Sequence, residues 1–376
     1  MLEERKSLSH AVEIVPVVLG KHENADSLSV VSVFGGYSCV VRTQDWIGIE
    51  RAAYIPPDSI VYADRPEFAF LIQQAKPGPR LPVRIKAKKL RGVVSFGLLV
   101  PAPADTNLGD DVAERLEVQH YEPETEFAKH EKGFSFGGDV ASAPNLPFVF
   151  GKYDIENLRR YPHEIQDGEP CFVSEKLDGE SAVYVYWDGD YHCKSRTLWK
   201  KEFPSHDNVT VEKLVEAGKS EDEAKEIVER LNFKEKPQSK WWRVLRQTPL
   251  LEKFLRDNPG VVVFGENFGH VQKLRYGHLP NQISLGVFDI MKGGAWLDPL
   301  PARDFGIDLP WAPMVSNCVP YEFNTVCAMA EGQSLWPGAD NIREGCVIAP
   351  LKGRWTRSVG RLTLKAVSGN YLEKFH

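Results

Sequence analysis

Apolar positions in the first hundred residues fall in short runs of Val, Ile and Tyr punctuated by Gly, Pro and Asp. Val12 to Leu19, Leu28 to Phe34 and Tyr37 to Arg42 read as short strands, with Gly35-Gly36 as a hairpin turn between the last two. Val93 to Val100 adds another. Short strands with little helix predict a small closed barrel or sandwich. Pro101 to Asp110, and Gly133 to Pro147 with Gly137-Gly138 and two prolines, have the composition of connectors, which places a domain boundary within 130–147.

Past that boundary the pattern is mixed. Cys171 to Ser174, Ser181 to Trp187, Tyr191 to Arg196, Val261 to Gly265, Ser284 to Ile290, Gly345 to Ala349 and Leu362 to Val367 predict strands. Val211 to Leu231 has apolar residues at helical spacing among Glu and Lys, and predicts a surface helix. Trp241 to Leu255 predicts a second, more apolar helix, ended by Asn258-Pro259-Gly260. Trp241-Trp242 could stack a base, but aromatic residues on a helix are more often core. The expected class is α+β, with an OB-like barrel in residues 1–138 and antiparallel sheets flanked by helices in residues 139–376.

Composition narrows the class. Nine Trp, 19 Phe and 12 Tyr exclude a disordered chain, and no apolar run approaches the ~18 residues needed to span a bilayer. The segment from Ala11 to Gly20 is broken by Glu13 and Pro16, unlike a signal peptide. Cys39, Cys171, Cys193, Cys318, Cys327 and Cys346 form no C-x-x-C pair, which argues against a zinc cage or a disulfide module and for a reducing, cytoplasmic setting. Net charge is −6, so bulk electrostatics do not make this a nucleic-acid binder. The distribution says more. Lys76 to Arg91 holds seven basic residues and no acid, Asp105 to Glu126 eight acids and one Arg, and Arg343 to the end seven bases and two acids. Such runs are usually solvated faces, yet two separate basic segments leave room for a local phosphate-tracking surface.

The chemistry-bearing stretch is Ser174-Glu175-Lys176-Leu177-Asp178-Gly179-Glu180-Ser181. A lysine ends an apolar strand, a carboxylate follows two residues on, and Gly179 permits a tight turn into the next strand. Counting back through the Asp188-Gly189 turn brings Ser195 and Arg196 opposite Ser181 and Ala182, so an arginine lies beside the lysine loop. Alone, K-x-D-G is weak, and a surface β-turn explains it as well.

Its company changes that. Lys176-Leu177-Asp178-Gly179, then Ser195-Arg196, Phe264-Gly265-Glu266, Phe288-Asp289, Glu344-Gly345 and Lys365 together resemble the ordered motifs of covalent nucleotidyltransferases: DNA ligases, RNA ligases and mRNA capping enzymes. Gaps of 90, 78 and 21 residues along Lys176, Glu266, Glu344 and Lys365 suit that domain. The resemblance implies that Lys176 attacks the α-phosphate of ATP to form lysyl-AMP, for which its amine must be partly deprotonated by nearby positive charge such as Lys365 or a metal. It implies that Lys365 contacts the phosphate, that Phe288 stacks on adenine, and that Arg196, Glu266 and Glu175 face ribose, base or phosphate. Lys152 and Gly179 join the nucleotide pocket, and Asp178, Glu266 and Glu344 hold Mg²⁺ or Mn²⁺ or its waters. Many relatives carry K-x-K at the last motif. Here Thr363 replaces the first lysine, so either Arg361 compensates or one phosphate contact is missing.

DNA ligases and capping enzymes place an OB domain after the catalytic domain. This chain has 11 residues after Lys365, so none is expected there, which argues against a guanylyltransferase. NAD⁺ as donor is disfavoured, because ligases using it carry further domains. The N-terminal segments Tyr54-Ile55-Pro56-Pro57, Arg65-Pro66-Glu67-Phe68 and Lys89-Leu90-Arg91-Gly92 are similar to the OB module of the fifth family of RNA ligases. That resemblance implies an ATP-dependent RNA ligase joining 3′-OH and 5′-phosphate ends, preferentially at nicks; nothing in the sequence suggests an obligate multimer, and a monomer is expected. Lys86, Lys88, Lys89 and Arg91, with Arg354, Arg357 and Arg361, would grip RNA. A DNA ligase of the same chemistry, or a non-catalytic RNA-binding protein on this scaffold, are the rival readings.

Overall fold

The computed structural model describes residues 10–78, 80–121, 139–203, 210–216, 218–233 and 238–375. The expected domain boundary at 138/139 abuts residues 122–138, which lie outside the described residues.

Short strands build the N-terminal unit: β1 (Glu13–Pro16), β2 (Leu19–Lys21), β3 (Leu28–Val33), β4 (Tyr37–Arg42), β5 (Arg51–Ile55), β6 (Ser59–Tyr62), β7 (Pro82–Arg84), β8 (Lys88–Leu90), β9 (Val93–Ser95), β10 (Leu98–Pro101) and β11 (Gln119–His120). They form three-stranded sheets β1-β5-β10, β2-β3-β4 and β11-β6-β7, and the hairpin β8-β9. The central β1-β5-β10 sheet is buried on both faces. Ile14, Ala53, Ile55 and Val100 pack with Phe68 and Leu71, while Val15, Ala52, Tyr54 and Leu99 pack with Val31, Val33 and Cys39. Alternate residues of one strand therefore feed two cores. The run from Val12 to Leu19 is two strands, with a break at Val17-Val18 after Pro16, and Val93 to Val100 breaks at Gly97, whose φ is +91°.

The second unit holds β12 (Glu156–Asn157), β13 (Pro170–Lys176), β14 (Gly179–Trp187), β15 (Asp190–Lys194), β16 (Trp199–Lys200), β17 (Val262–Gly269), β18 (Ile283–Lys292), β19 (Ala295–Trp296), β20 (Met314–Pro320), β21 (Gly345–Pro350), β22 (Trp355–Thr356), β23 (Gly360–Arg361) and β24 (Leu364–Val367). A five-stranded sheet runs β12-β24-β21-β13-β20, and a six-stranded sheet runs β16-β15-β14-β17-β18-β19. All pairings in the two are antiparallel except β12 with β24. Helices Lys240–Arg246, Pro249–Asp257 and Pro299–Phe305 cover the outer face of the six-stranded sheet, and Phe323–Met329 covers the five-stranded one.

Two expected helices are each divided. Val211 to Leu231 is Val211–Glu216 and Glu221–Phe233, interrupted where Gly218 takes φ +88°. Trp241 to Leu255 is split by Pro249, which starts the second helix because its ring cannot sit within the first.

The two units pack tightly. Phe96 and Ala87 of the first share a core with Leu177, Phe268, Tyr276 and Tyr371 of the second. Arg160 pairs with Glu13 and lies 4.2 Å from the Phe34 ring centroid, and Arg159 lies 4.4 Å from that of Phe96. Gly36, in the β3-β4 turn, meets the backbone of Arg159 so closely that a Cβ would overlap it. Among the described residues no helix is long and apolar enough to cross a membrane.

Candidate active site

Lys176 is the last residue of β13 and Gly179 the first of β14, so Leu177-Asp178 is the crossing between the two sheets. Buried Leu177 anchors it. The Asp178 N–H donates to the Tyr276 hydroxyl at 2.7 Å, and Asp178 Oδ2 accepts from the Leu274 N–H at 3.1 Å. Gly179 does not serve a left-handed turn. It is needed because a Cβ there would strike the backbone carbonyl of Asn267 in β17. The β14-β15 register is the one counted from sequence, with Val183 opposite Lys194, although the pairing ends there and leaves Ser195 and Arg196 beyond it.

Gly345 stands opposite Lys176 across β13-β21, which delivers Glu344 to the lysine. Lys176 Nζ donates to both Glu344 oxygens, at 2.7 and 2.8 Å. Burial disfavours the ammonium, but the carboxylates of Glu344, Glu266 and Asp178 outweigh burial and hold it above the ordinary lysine value. Lys365 moves the other way, lowered by burial and by the Lys176 charge. Glu266 is pushed up to about 8 by burial, with Glu344 and Asp178 adding to that against the pull of Lys176. Without nucleotide the nucleophile candidate is held protonated, because its carboxylate partners prevail over burial.

Between the sheets lies a cavity of about 450 Å³. Phe172, Ser174 and Lys176 face it from alternate positions of β13, with Val347 and Ala349 of β21 and Lys365 of β24 beside them. The opposite wall includes Gly179, Glu266 and Phe288. Phe288 is the extra residue where the β17-β18 register jumps from Phe264–Asp289 to Gly265–Val287. A bulge re-aims a side chain, and this one lies at the cavity. Arg196 also lines it, held by Asp154 at 2.9 Å. Lys152 pairs with Asp154 at 3.4 Å and stands outside the lining, to which its neighbours Tyr153, Asp154 and Ile155 belong. Glu175 contributes to the wall, but its carboxylate accepts from the Leu335 N–H at 2.7 Å and is pushed up by burial.

A second cavity, about 160 Å³, opens on the other side of the lysine, bounded by Lys176, Asp178, Glu266, Gln272, Lys273, Glu344 and Tyr371. Three carboxylates are hard oxygen donors of the kind that suit Mg²⁺ or Mn²⁺. Among the described residues no three acidic, His or Cys side chains are already arranged to grip a bare ion. The donor set fits a cation that keeps most of its water, for which the cavity has room at ~30 Å³ per molecule.

The basic segments divide. Lys86, Lys88, Lys89 and Arg91 are exposed on or beside the β8-β9 hairpin, whereas Arg80 and Arg84 of the same run are paired with Asp64 and Asp58. Arg357 is exposed, and Arg354 is held by Glu169 at 2.8 Å. Arg361, expected either to grip RNA or to compensate for the missing lysine, is half-buried and ion-paired. Its guanidinium pairs with buried Asp289, which also accepts from the Tyr153 hydroxyl at 2.9 Å and the Ile290 N–H at 3.0 Å. An arginine spent on a buried acid is not available to a phosphate.

Sequence reasoning missed Tyr153, Trp311 and Arg303, all of which line the larger cavity, and left Trp241 as core although it lines the cavity as well as packing on the core. Tyr153 lay next to a residue singled out. Nothing local marks Arg303, on the helix Pro299–Phe305, or Trp311 beyond it.

Comparison with known proteins agrees with this architecture. The RNA ligase family model matches residues 169–367, and an OB-fold domain model matches residues 12–102. A Naegleria gruberi RNA ligase mutant solved with ATP and Mn is 21% identical, with TM-score 0.68, covering 96% of this chain and 98% of that one. A mutant of the same enzyme with AMP and Mn is 20% identical, with TM-score 0.69 and coverage of 97% and 98%. The Naegleria enzyme with PPi is 21% identical, with TM-score 0.66 and coverage of 98% of each chain. No curated protein matches the chain. The family match takes in more than half of the chain, from the strand that ends in Lys176 to the one that bears Lys365, and the chain belongs to the RNA ligase family.

Proposed function

We propose that the protein is an ATP-dependent RNA ligase of the fifth family, which joins 3′-OH and 5′-phosphate ends at nicks through lysyl-AMP and adenylylated RNA. The observation that carries this is the place of Lys176, at the junction of a cavity sized for a nucleotide and a smaller one ringed by carboxylates. The division proposed is 1–138 and 139–376, with the nucleotide held in the second unit.

In the first step Lys176, freed from Glu344, gives up its proton to solvent, and the free amine forms an N–P bond to the α-phosphorus as the P–O bond to the departing pyrophosphate breaks. Lys365 is set to meet charge developing on the α-phosphate oxygens, and Phe288 to stack on adenine, with Arg196 near ribose or phosphate. Asp178, Glu266 and Glu344 would hold Mg²⁺ or Mn²⁺ through its waters, and the cation would supply charge neutralisation at the phosphate and at Glu344. AMP then passes to the RNA 5′-phosphate, and the neighbouring 3′-OH displaces it to form the phosphodiester. Lys86, Lys88, Lys89 and Arg91 are exposed where they can follow the RNA backbone.

The test is incubation with ATP labelled at the α-phosphate and Mg²⁺ or Mn²⁺, after pyrophosphate treatment to clear bound AMP, for wild type and Lys176→Ala. Label on denatured wild type alone is the expected result. Absence of label with every NTP removes the ligase reading and leaves an RNA-binding protein on this scaffold. Sealing assays with RNA or DNA on the 3′-OH side of the nick then decide between RNA and DNA ligase.

A further inference from the structure

The lining of the larger cavity includes an arginine that the phosphate chemistry does not need. Arg303 projects from the helix Pro299–Phe305 and lines the cavity. Its guanidinium lies between two rings, 5.0 Å from the Phe172 centroid and 4.9 Å from that of Trp311, and donates to the Ala312 carbonyl. Among the described residues no carboxylate pairs with it. Burial lowers it to about 10, so it remains charged at neutral pH. A guanidinium has five N–H donors, and a buried one without an acid partner is costly unless something else uses them.

Position says what that is. Phe172 lies on the same face of β13 as Lys176, four residues away, which at strand rise is ~13 Å. This matches the reach of a nucleoside monophosphate from a phosphorus at the lysine to the outer edge of its base. Phosphate at Lys176 and Lys365 and a base past Phe288 would direct the outer base edge toward Phe172, Trp311 and Arg303, which line the same cavity.

Building on the ligase reading above, we propose that Arg303 is the residue that reads the base of the donor nucleotide, donating to the unprotonated purine ring nitrogen N1, on the edge away from the ribose. A guanidinium can only donate, so it meets a ring nitrogen lone pair and cannot bind an amino group. The two flanking rings fix its plane before the nucleotide arrives, which limits the ordering lost on binding.

The experiment is single-turnover formation of the lysyl nucleotide by the full chain with ATP, 1-deaza-ATP and 7-deaza-ATP, for wild type, Arg303→Met and Arg303→Lys. Wild type is expected to need at least ~10-fold more 1-deaza-ATP than ATP for half-maximal labelling, the scale of a hydrogen bond from a charged donor, and to use 7-deaza-ATP like ATP. Arg303→Met should show a similar loss with ATP and little further loss with 1-deaza-ATP, because both changes delete the same bond. Arg303→Lys, with a shorter reach and no fork, should recover part of it. If wild type uses 1-deaza-ATP as well as ATP, the assignment falls even should the variants fail to fold. It falls equally if Arg303→Met labels like wild type, or if the analogue and substitution penalties add in full. If wild type forms no lysyl nucleotide at all, the ligase reading fails and this inference goes with it.

Discussion

Replacing Glu344 with Gln removes the charge that holds Lys176 in its ammonium form. Nζ lies 2.7 and 2.8 Å from the two carboxylate oxygens. Unit charges at that separation attract by roughly 6 kcal/mol at an effective dielectric of about 20, and much of that offsets the desolvation of both groups. Even a lysine at its ordinary 10.5 has about 1 free amine in 1,000 at pH 7.5, a deprotonation cost of about 4 kcal/mol, and the Glu344 pair adds to it. In the proposed reaction, nucleotide and cation binding relieve the pair before attack. Competitive acylation of the nucleotide-free protein from pH 7 to 11, read at the Lys176 peptide by mass spectrometry, measures this. Wild-type Lys176 should react only above the ordinary lysine range, and Glu344→Gln should raise its reactivity at pH 8 by about 10-fold or more, since losing ~1.4 kcal/mol of the attraction suffices. The ratio of the two should shrink steadily toward pH 11 as both amines lose their protons, which shows that access is unchanged. A wild-type profile below that of ordinary lysines, or one unmoved by Glu344→Gln, refutes the reasoning.

Three further outcomes are expected. Glu266 has its folded value, about 8, above the ordinary 4.5, so between these pH values the folded protein keeps a proton that the unfolded chain has lost, and stability falls as pH rises. Glu266→Gln should flatten that fall by on the order of 3 kcal/mol between pH 4.5 and 8.5 in urea titrations, and parallel curves would count against it. Gly36→Ala places a methyl into the Arg159 backbone and should cost about 1–3 kcal/mol, with faster amide exchange at 158–165 as the two units part; unchanged exchange would show that the contact yields easily. Charge reversal of Lys88 and Lys89 should weaken nick sealing and its salt dependence while leaving lysine adenylylation intact, and loss of both steps would place those residues in folding instead.

The chain order of Lys176, Glu266, Phe288, Glu344 and Lys365 was legible before any coordinates only through its resemblance to the ordered motifs of covalent nucleotidyltransferases, since phosphate chemistry calls for these residue types but not for their order. Strands were equally legible: Tyr37–Arg42 lies where its alternation places it, and the β14-β15 register follows from the Asp188-Gly189 turn. These are local properties, carried by side-chain period and by what Gly, Asp and Asn do to a turn. What depended on the tertiary structure is everything that joins segments far apart. The reason for Gly179 is the Asn267 carbonyl of another strand, and the fate of Arg361 is a buried acid 72 residues earlier. The protonation of Lys176 is a contest among Glu344, Glu266, Asp178 and Lys365 that no spacing could weigh, since Coulomb energy depends on distance and burial. Arg303 stands at the cavity for the same reason. Its helix carries no motif, and only the packing of that helix on the six-stranded sheet brings its guanidinium between Phe172 and Trp311.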